Sequence, residues 1–334
     1  MNYLKTISIC FLAAITLNSC SLFEKKMNPE EIYSLQSSGV VLIVNDYYYS
    51  AKVNNLELFF SGVDEDGDPT DLTSEEEEIK KNCYELSGTG FFISEDGQIM
   101  TNRHVVNPEI DKTAVSKVIR KAFKEAFNEE REQAAEEWRL NDGDTFKQNE
   151  IYDRYKTYDE AYNSIDEMSA DEIIISTHAN LSIVYNDSHV VKDEDLKPCV
   201  TVAISENEDV DLAIIQLKDG ETPETSYIFH LYPKDEDKEL TMDQRLFMIG
   251  FNRGTKIAKT KQGYRSQIYS GHVTQRSDGE QILYSIPSLP GSSGSPVVDN
   301  KGYLVAVNYA GISTTQNFNY GIPSRLIRQF LNEH

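Results

Sequence analysis

Short apolar runs rich in β-branched residues, many of them separated by Gly, Asn or Asp, recur along this chain and constrain it to a β core. They occupy residues 39–44, 56–60, 173–176, 181–185, 200–204, 212–217, 245–249, 282–286, 297–298 and 303–307. Runs of this length are strands rather than buried helices. Asp96-Gly97 lies between the runs at 88–93 and 99–102, the pattern of a hairpin turn. Many short strands with turn residues between them predict a barrel or a sandwich.

One stretch breaks the pattern. Val115, Ile119, Ala122, Ala126 and Phe127 recur at helical spacing, extended by Ala134 and Trp138. Asn141-Asp142-Gly143-Asp144 reads as a turn. Ile151, Tyr155, Tyr158, Tyr162 and Ile165 form a second stripe. The spacing predicts a helical hairpin inserted over about 111–170; a mobile charged insertion is the alternative. The end of the chain, residues 324–330, reads as a short helix.

The first residues differ from all that follow. Lys5 precedes an apolar run over 7–17, too short to span a bilayer. This is the make-up of an export signal. Its end, Leu17-Asn18-Ser19-Cys20, resembles the lipobox of bacterial lipoproteins. That resemblance implies a signal peptide over 1–19, lipidation of Cys20, and a membrane-anchored protein facing the periplasm or cell surface. Residues 20–36 read as the lipidated N-terminus and a polar tether, and 37–334 as the working domain. Cys83 and Cys199 remain, either free or paired in a disulfide. The formal net charge of −23 speaks against nucleic acid, which needs a basic face.

Three segments carry chemistry. Pro290-Gly291-Ser292-Ser293-Gly294-Ser295-Pro296 puts a Ser between glycines ahead of a strand. A nucleophilic Ser needs such a path, because backbone N–H groups must point at the developing oxyanion. A plain surface turn would use the same residues. Thr101-Asn102-Arg103-His104-Val105-Val106 ends a hairpin strand on a His, and Asp209-Val210-Asp211-Leu212-Ala213-Ile214 puts an Asp before an apolar strand. Either one alone is an ordinary structural residue; the order His, Asp, Ser is less easily accidental.

Together these segments resemble the trypsin-like, chymotrypsin-fold serine endopeptidases, within them the bacterial HtrA/DegP branch. The resemblance runs over residues 38–334 apart from the insertion. It implies a double six-stranded β-barrel and a His104, Asp211, Ser293 triad. It also implies an oxyanion hole from the backbone of Gly291 and Ser293, and a substrate cleft along Asn308, Tyr309 and Ala310. The substrates would be exported or misfolded polypeptides, and neither cofactor nor metal is implied. The chain stops about forty residues past Ser293, so the PDZ domain of that branch is not expected. The nucleophile loop also resembles that of staphylococcal glutamyl endopeptidases. Asn308 stands where those enzymes place a His, so a small or medium apolar side chain is the expected preference.

Asp64, Asp66, Asp68 and Glu75 fall at calcium-loop spacing, but Pro69 stands where that loop needs Gly; the segment reads as an acidic surface loop. A catalytically silent binding protein on the same fold, acting through the helical insertion, is the second functional reading. The oligomeric state is left open.

Overall fold

The computed structural model describes residues 26–190, 192, 195–231, 240–311 and 319–334. The signal sequence and Cys20 lie outside the described residues. The chain divides into two compact units. Of the described residues, the first comprises those from 26 to 45, from 86 to 106 and from 181 onward; the second, 46–85 and 107–180.

The first helix, α1 (Pro29–Gln36), corrects the expectation of a tether running to residue 36. Asn28 caps it, accepting from the Glu31 amide at 3.0 Å, while the Glu31 carboxylate accepts from the Asn28 amide at 2.9 Å. Pro29 opens it and Ile32 is fully buried. The signal was in the sequence: Asn-Pro-Glu-Glu carries both a capping box and a proline at the first helical position.

Seven strands form the first sheet: β1 (Val40–Val53), β2 (Leu56–Phe60), β3 (Tyr84–Phe92), β4 (Gln98–Thr101), β5 (Ile174–Tyr185), β6 (Lys197–Ile204) and β7 (Ala213–Leu217). Their order is β2-β1-β3-β4-β7-β6-β5, and a further β1–β5 pairing closes six of them into a barrel. Val41, Ile43, Phe92, Ile99, Leu181, Ile183, Ala213 and Ile215 fill one part of its interior. Two strands are longer than their apolar runs. β1 continues through Asn45-Asp46-Tyr47-Tyr48-Tyr49, and β5 joins the expected strands at 173–176 and 181–185 through Thr177-His178-Ala179-Asn180. Polar residues are no obstacle where one strand face is not apolar.

The second sheet comprises β8 (Arg245–Gly250), β9 (Gln267–His272), β10 (Ile282–Tyr284), β11 (Pro296–Val298), β12 (Leu304–Gly311) and β13 (Asn319–Pro323). The order is β9-β8-β11-β12-β13-β10. A Val273–Tyr284 bridge and the bonds Ser285 N to His272 O and Thr274 N to Leu283 O, both 3.0 Å, tie its two end strands together. The mostly β expectation is met, with one closed six-stranded barrel and a second six-stranded sheet curled into a half-barrel. β9 is too polar for an apolar run to reveal it.

The second unit holds the insertion. Helix α2 spans Lys112–Leu140 and α3 spans Thr145–Ser164, within the expected 111–170. Asp111 and Asp144 cap them. Val115, Ile119, Phe123 and Phe127 of α2 pack with Ala161, Ile165 and Tyr49, Leu58 and Phe60 of the strands. Burial of each such Phe contributes roughly 1.5–3 kcal/mol. Arg131 pairs with Asp159 at 2.9 Å and lies 4.3 Å over the Tyr162 ring. Among the described residues no helix is long and apolar enough to cross a membrane.

Cys83 and Cys199 do not pair. Cys199 is buried on β6, and burial pushes its thiol up to about 12. Cys83 belongs to the other unit.

Candidate active site

Strand register brings His104 and Asp211 to one edge. β4 and β7 pair so that Thr101 faces Ala213. His104 follows Thr101 by three residues, and Asp211 precedes Ala213 by two. Between them, Asn102 donates through Nδ2 to the Asp211 carbonyl at 2.8 Å. His104 sits in a one-turn helix, residues 103–106, whose last carbonyls are held by buried Asn45. Asn45 Nδ2 donates to Val105 O at 2.9 Å and Val106 O at 3.2 Å. Arg103 bonds the carbonyls of Asn207 and Glu208, fixing the turn ahead of Asp211.

Asp211 grips His104 twice. Its Oδ1 accepts from the His104 amide at 3.0 Å and its Oδ2 lies 2.6 Å from Nδ1. A carboxylate on Nδ1 keeps the proton there, leaving the Nε2 lone pair available as a base. Asp211 is 18% exposed and His104 43%, so the pair is supported yet open to solvent on the ring side.

The loop around Ser293 is fixed through its carbonyls. Pro290 O accepts from Arg253 N at 2.6 Å, and Gly291 O from Thr89 Oγ1 at 2.8 Å. Ser292 O accepts from Asn308 Nδ2 at 3.0 Å, and Ser293 O from Thr89 N at 2.8 Å. Among the described residues, the amides of Gly291 and Ser293 donate to nothing. Both glycines are required. Gly291 has φ +95°, and a Cβ there would lie 2.5 Å from Phe251 O; Gly294 has φ +84°, and a Cβ would lie 2.1 Å from Thr89 O. Ser293 is half-buried, and its hydroxyl makes no hydrogen bond among the described residues. The structure thus bonds His104 to Asp211 but does not bond Ser293 to His104. Neighbouring Ser295 is wholly buried, with its hydroxyl unpartnered against Gly250.

A residue of larger consequence than the sequence suggested is Asn308. Its backbone bridges the loop, accepting from Gly294 N at 2.8 Å and donating to Ser295 O at 2.9 Å. Its side chain donates to Ser288 Oγ at 3.1 Å and to Ser292 O, and accepts from Tyr284 OH at 2.8 Å. It is 1% exposed, with both amide atoms engaged. Next to it, Tyr309 sits where the β12–β13 register shifts. Such bulges re-aim side chains beside active sites. Burial raises its phenol, helped by the charges of Tyr320, Asp211 and Asp278. Ala310 continues the strand; its side chain lies outside the described set. Tyr284 carried no sequence signal, since a buried Tyr is an ordinary residue of strands.

Residues 168–307 match the family model of the trypsin-like peptidase domain. The matched stretch includes Asp211 and Ser293, with His104 ahead of it. No curated protein matches the chain. Among solved structures, the crystal structure of the serine endoprotease from Yersinia pestis is similar at 12% identity and a TM-score of 0.46. The alignment takes in 92% of this chain and 66% of that one.

Proposed function

We propose that the protein is a serine endopeptidase in which Ser293 is the nucleophile, His104 the general base and Asp211 the group that orients it. The observation that carries this is the state of the nucleophile loop. The carbonyls of Pro290, Gly291 and Ser293 are all turned into framework donors, which leaves the amides of Gly291 and Ser293 free. A loop collapsed into an inactive shape would spend those amides on its own carbonyls. In the reaction, Ser293 Oγ attacks the peptide carbonyl carbon while His104 Nε2 takes its proton. The two amides donate hydrogen bonds to the negatively charged tetrahedral oxygen, typically worth about 3–4 kcal/mol per donor. His104 then returns the proton to the leaving amine, and water repeats the sequence on the acyl-enzyme.

The cleft supports a neutral preference. Asn308 has no polar atom left for a substrate charge, since each is bonded to Ser288, Ser292 or Tyr284. Small or medium apolar side chains are the proposed preference, presented by exported or misfolded proteins. Residues 1–19 are proposed as the signal and Cys20 as the lipid anchor, with export to the periplasm or cell surface. Metabolic labelling with a fatty acid, lost in Cys20→Ser, tests that part.

Fluorophosphonate labelling of the chain from residue 21 onward tests the catalytic part. Labelling is expected in the unaltered chain and in Ser295→Ala, and absent in Ser293→Ala and His104→Ala. No labelling of the unaltered chain, even with unfolded protein added, would return the reading to a binding protein acting through its helical hairpin.

A further inference from the structure

The helical hairpin is longer than its packing requires. Its root joins the core of its unit through Val115, Ile119, Phe123 and Phe127, facing Ala161 and Ile165. Beyond Phe127, α2 continues for thirteen residues to Leu140, and α3 returns from Thr145. The tip buries Ala134 and Ile151 between the helices and turns its larger side chains outward. Trp138 is 44% exposed, Leu140 79%, Phe146 83% and Tyr152 56%. Four large apolar groups in the open at one end of a hairpin exceed ordinary surface scatter. Two of them, Trp138 and Tyr152, line a cleft of about 280 Å³ together with Ala135, Arg139 and Tyr155, while Leu140 and Phe146 are exposed elsewhere on the same tip.

The rim decides what the cleft can hold. Residues 132–154 carry seven carboxylates against three basic side chains, Arg139, Lys147 and Arg154, a net charge of −4. Arg154 is already paired with Glu137. An anionic bilayer would be repelled, although Trp and Tyr are also side chains of membrane interfaces. A second copy would bring the same negative rim against itself. A polypeptide segment with apolar side chains beside lysines or arginines satisfies both the cleft and the rim.

We propose that the hairpin tip is a docking site for cationic, apolar polypeptide segments, with Trp138 and Phe146 as its anchors. The assignment does not depend on the catalytic reading and can be tested without turnover.

Trp138 is the one tryptophan of the chain, so its fluorescence reports on the tip alone. The test titrates the Ser293→Ala chain, from residue 21 onward, with a synthetic peptide of leucine and lysine repeats. A saturable blue shift is expected, weakened by salt, with Kd raised about tenfold or more in Phe146→Ala. Phe146 is 83% exposed, so that variant keeps its thermal transition; Leu140→Asp gives a second, independent loss. A leucine–glutamate peptide should leave the emission unchanged. An absent shift, an equal response to the glutamate peptide, a shift with phosphatidylglycerol vesicles instead, or a shift on concentrating the protein alone would each overturn the proposal.

Discussion

The Asp211 carboxylate holds His104 at two points, its ring Nδ1 at 2.6 Å and its own backbone amide at 3.0 Å. The second bond makes Asp211 a fixture of the main chain as well as of the imidazole. Ring rotation and tautomer are therefore set together.

Asp211→Asn should keep the fold, because an amide oxygen can still accept from the His104 N–H, but it should favour the wrong tautomer. Turnover of an unfolded protein substrate is expected to fall about 10⁴-fold with little change in KM. A loss of similar size in KM instead would place Asp211 in substrate binding.

Gly291→Ala should remove activity by crowding rather than by chemistry. Its Cβ would meet Gly254 N at 2.4 Å as well as Phe251 O. Displacing the Gly291 amide from the oxyanion position should lower kcat by about 10²–10³-fold. Fluorophosphonate labelling rates check this against Gly143→Ala at the hairpin turn. That glycine has φ +98° but open space around it, so its replacement strains only the hairpin turn and should leave labelling unchanged.

Asn308→Leu should loosen the nucleophile loop. Tyr284 OH keeps Tyr320 O as an acceptor at 3.0 Å, whereas Ser292 O loses its side-chain donor. Ser292 O still accepts from Ser295 N at 3.1 Å, so the loss is that of one buried hydrogen bond, about 0.5–1.5 kcal/mol. A lower midpoint in urea and a fall in kcat larger than any rise in KM are expected; an unchanged kcat would make the contact purely structural.

Alkaline unfolding should be driven by tyrosines. Burial pushes Tyr185 up to about 12, and burial with the Glu76 hydrogen bond does the same for Tyr48; burial holds Tyr284 well above 10. Unfolded phenols ionise near pH 10. Above that pH the unfolded state binds fewer protons than the folded one, so stability is complete below about pH 10 and declines between 10 and 12. Absorbance of phenolate during a pH titration should show a late class of tyrosines appearing together with unfolding.

Much of this fold was legible because its strands are closed by turn residues and its helices by caps. Asp96-Gly97 and Asn141-Asp142-Gly143 marked their turns correctly, and Val115, Ile119, Ala122 and Phe127 face the core as expected, whereas Ala126 stays out of it and Trp138 is exposed. Strand β9, Gln-Ile-Tyr-Ser-Gly-His, was not legible, since its partners rather than its own apolar content hold it in the sheet. The segments bearing His104 and Asp211 were readable as motifs. The role of Asn308 was not, because contacts spanning 16 and 24 residues leave no local pattern.

The capped helix α1 has a consequence for where the protein can act. With Asn28 already part of the folded body, only seven residues lie between it and Cys20. If a lipid is attached there, this leash reaches less than about 30 Å even when fully drawn out. The enzyme would then patrol a thin layer of space next to its membrane, and encounter chains there before they diffuse away.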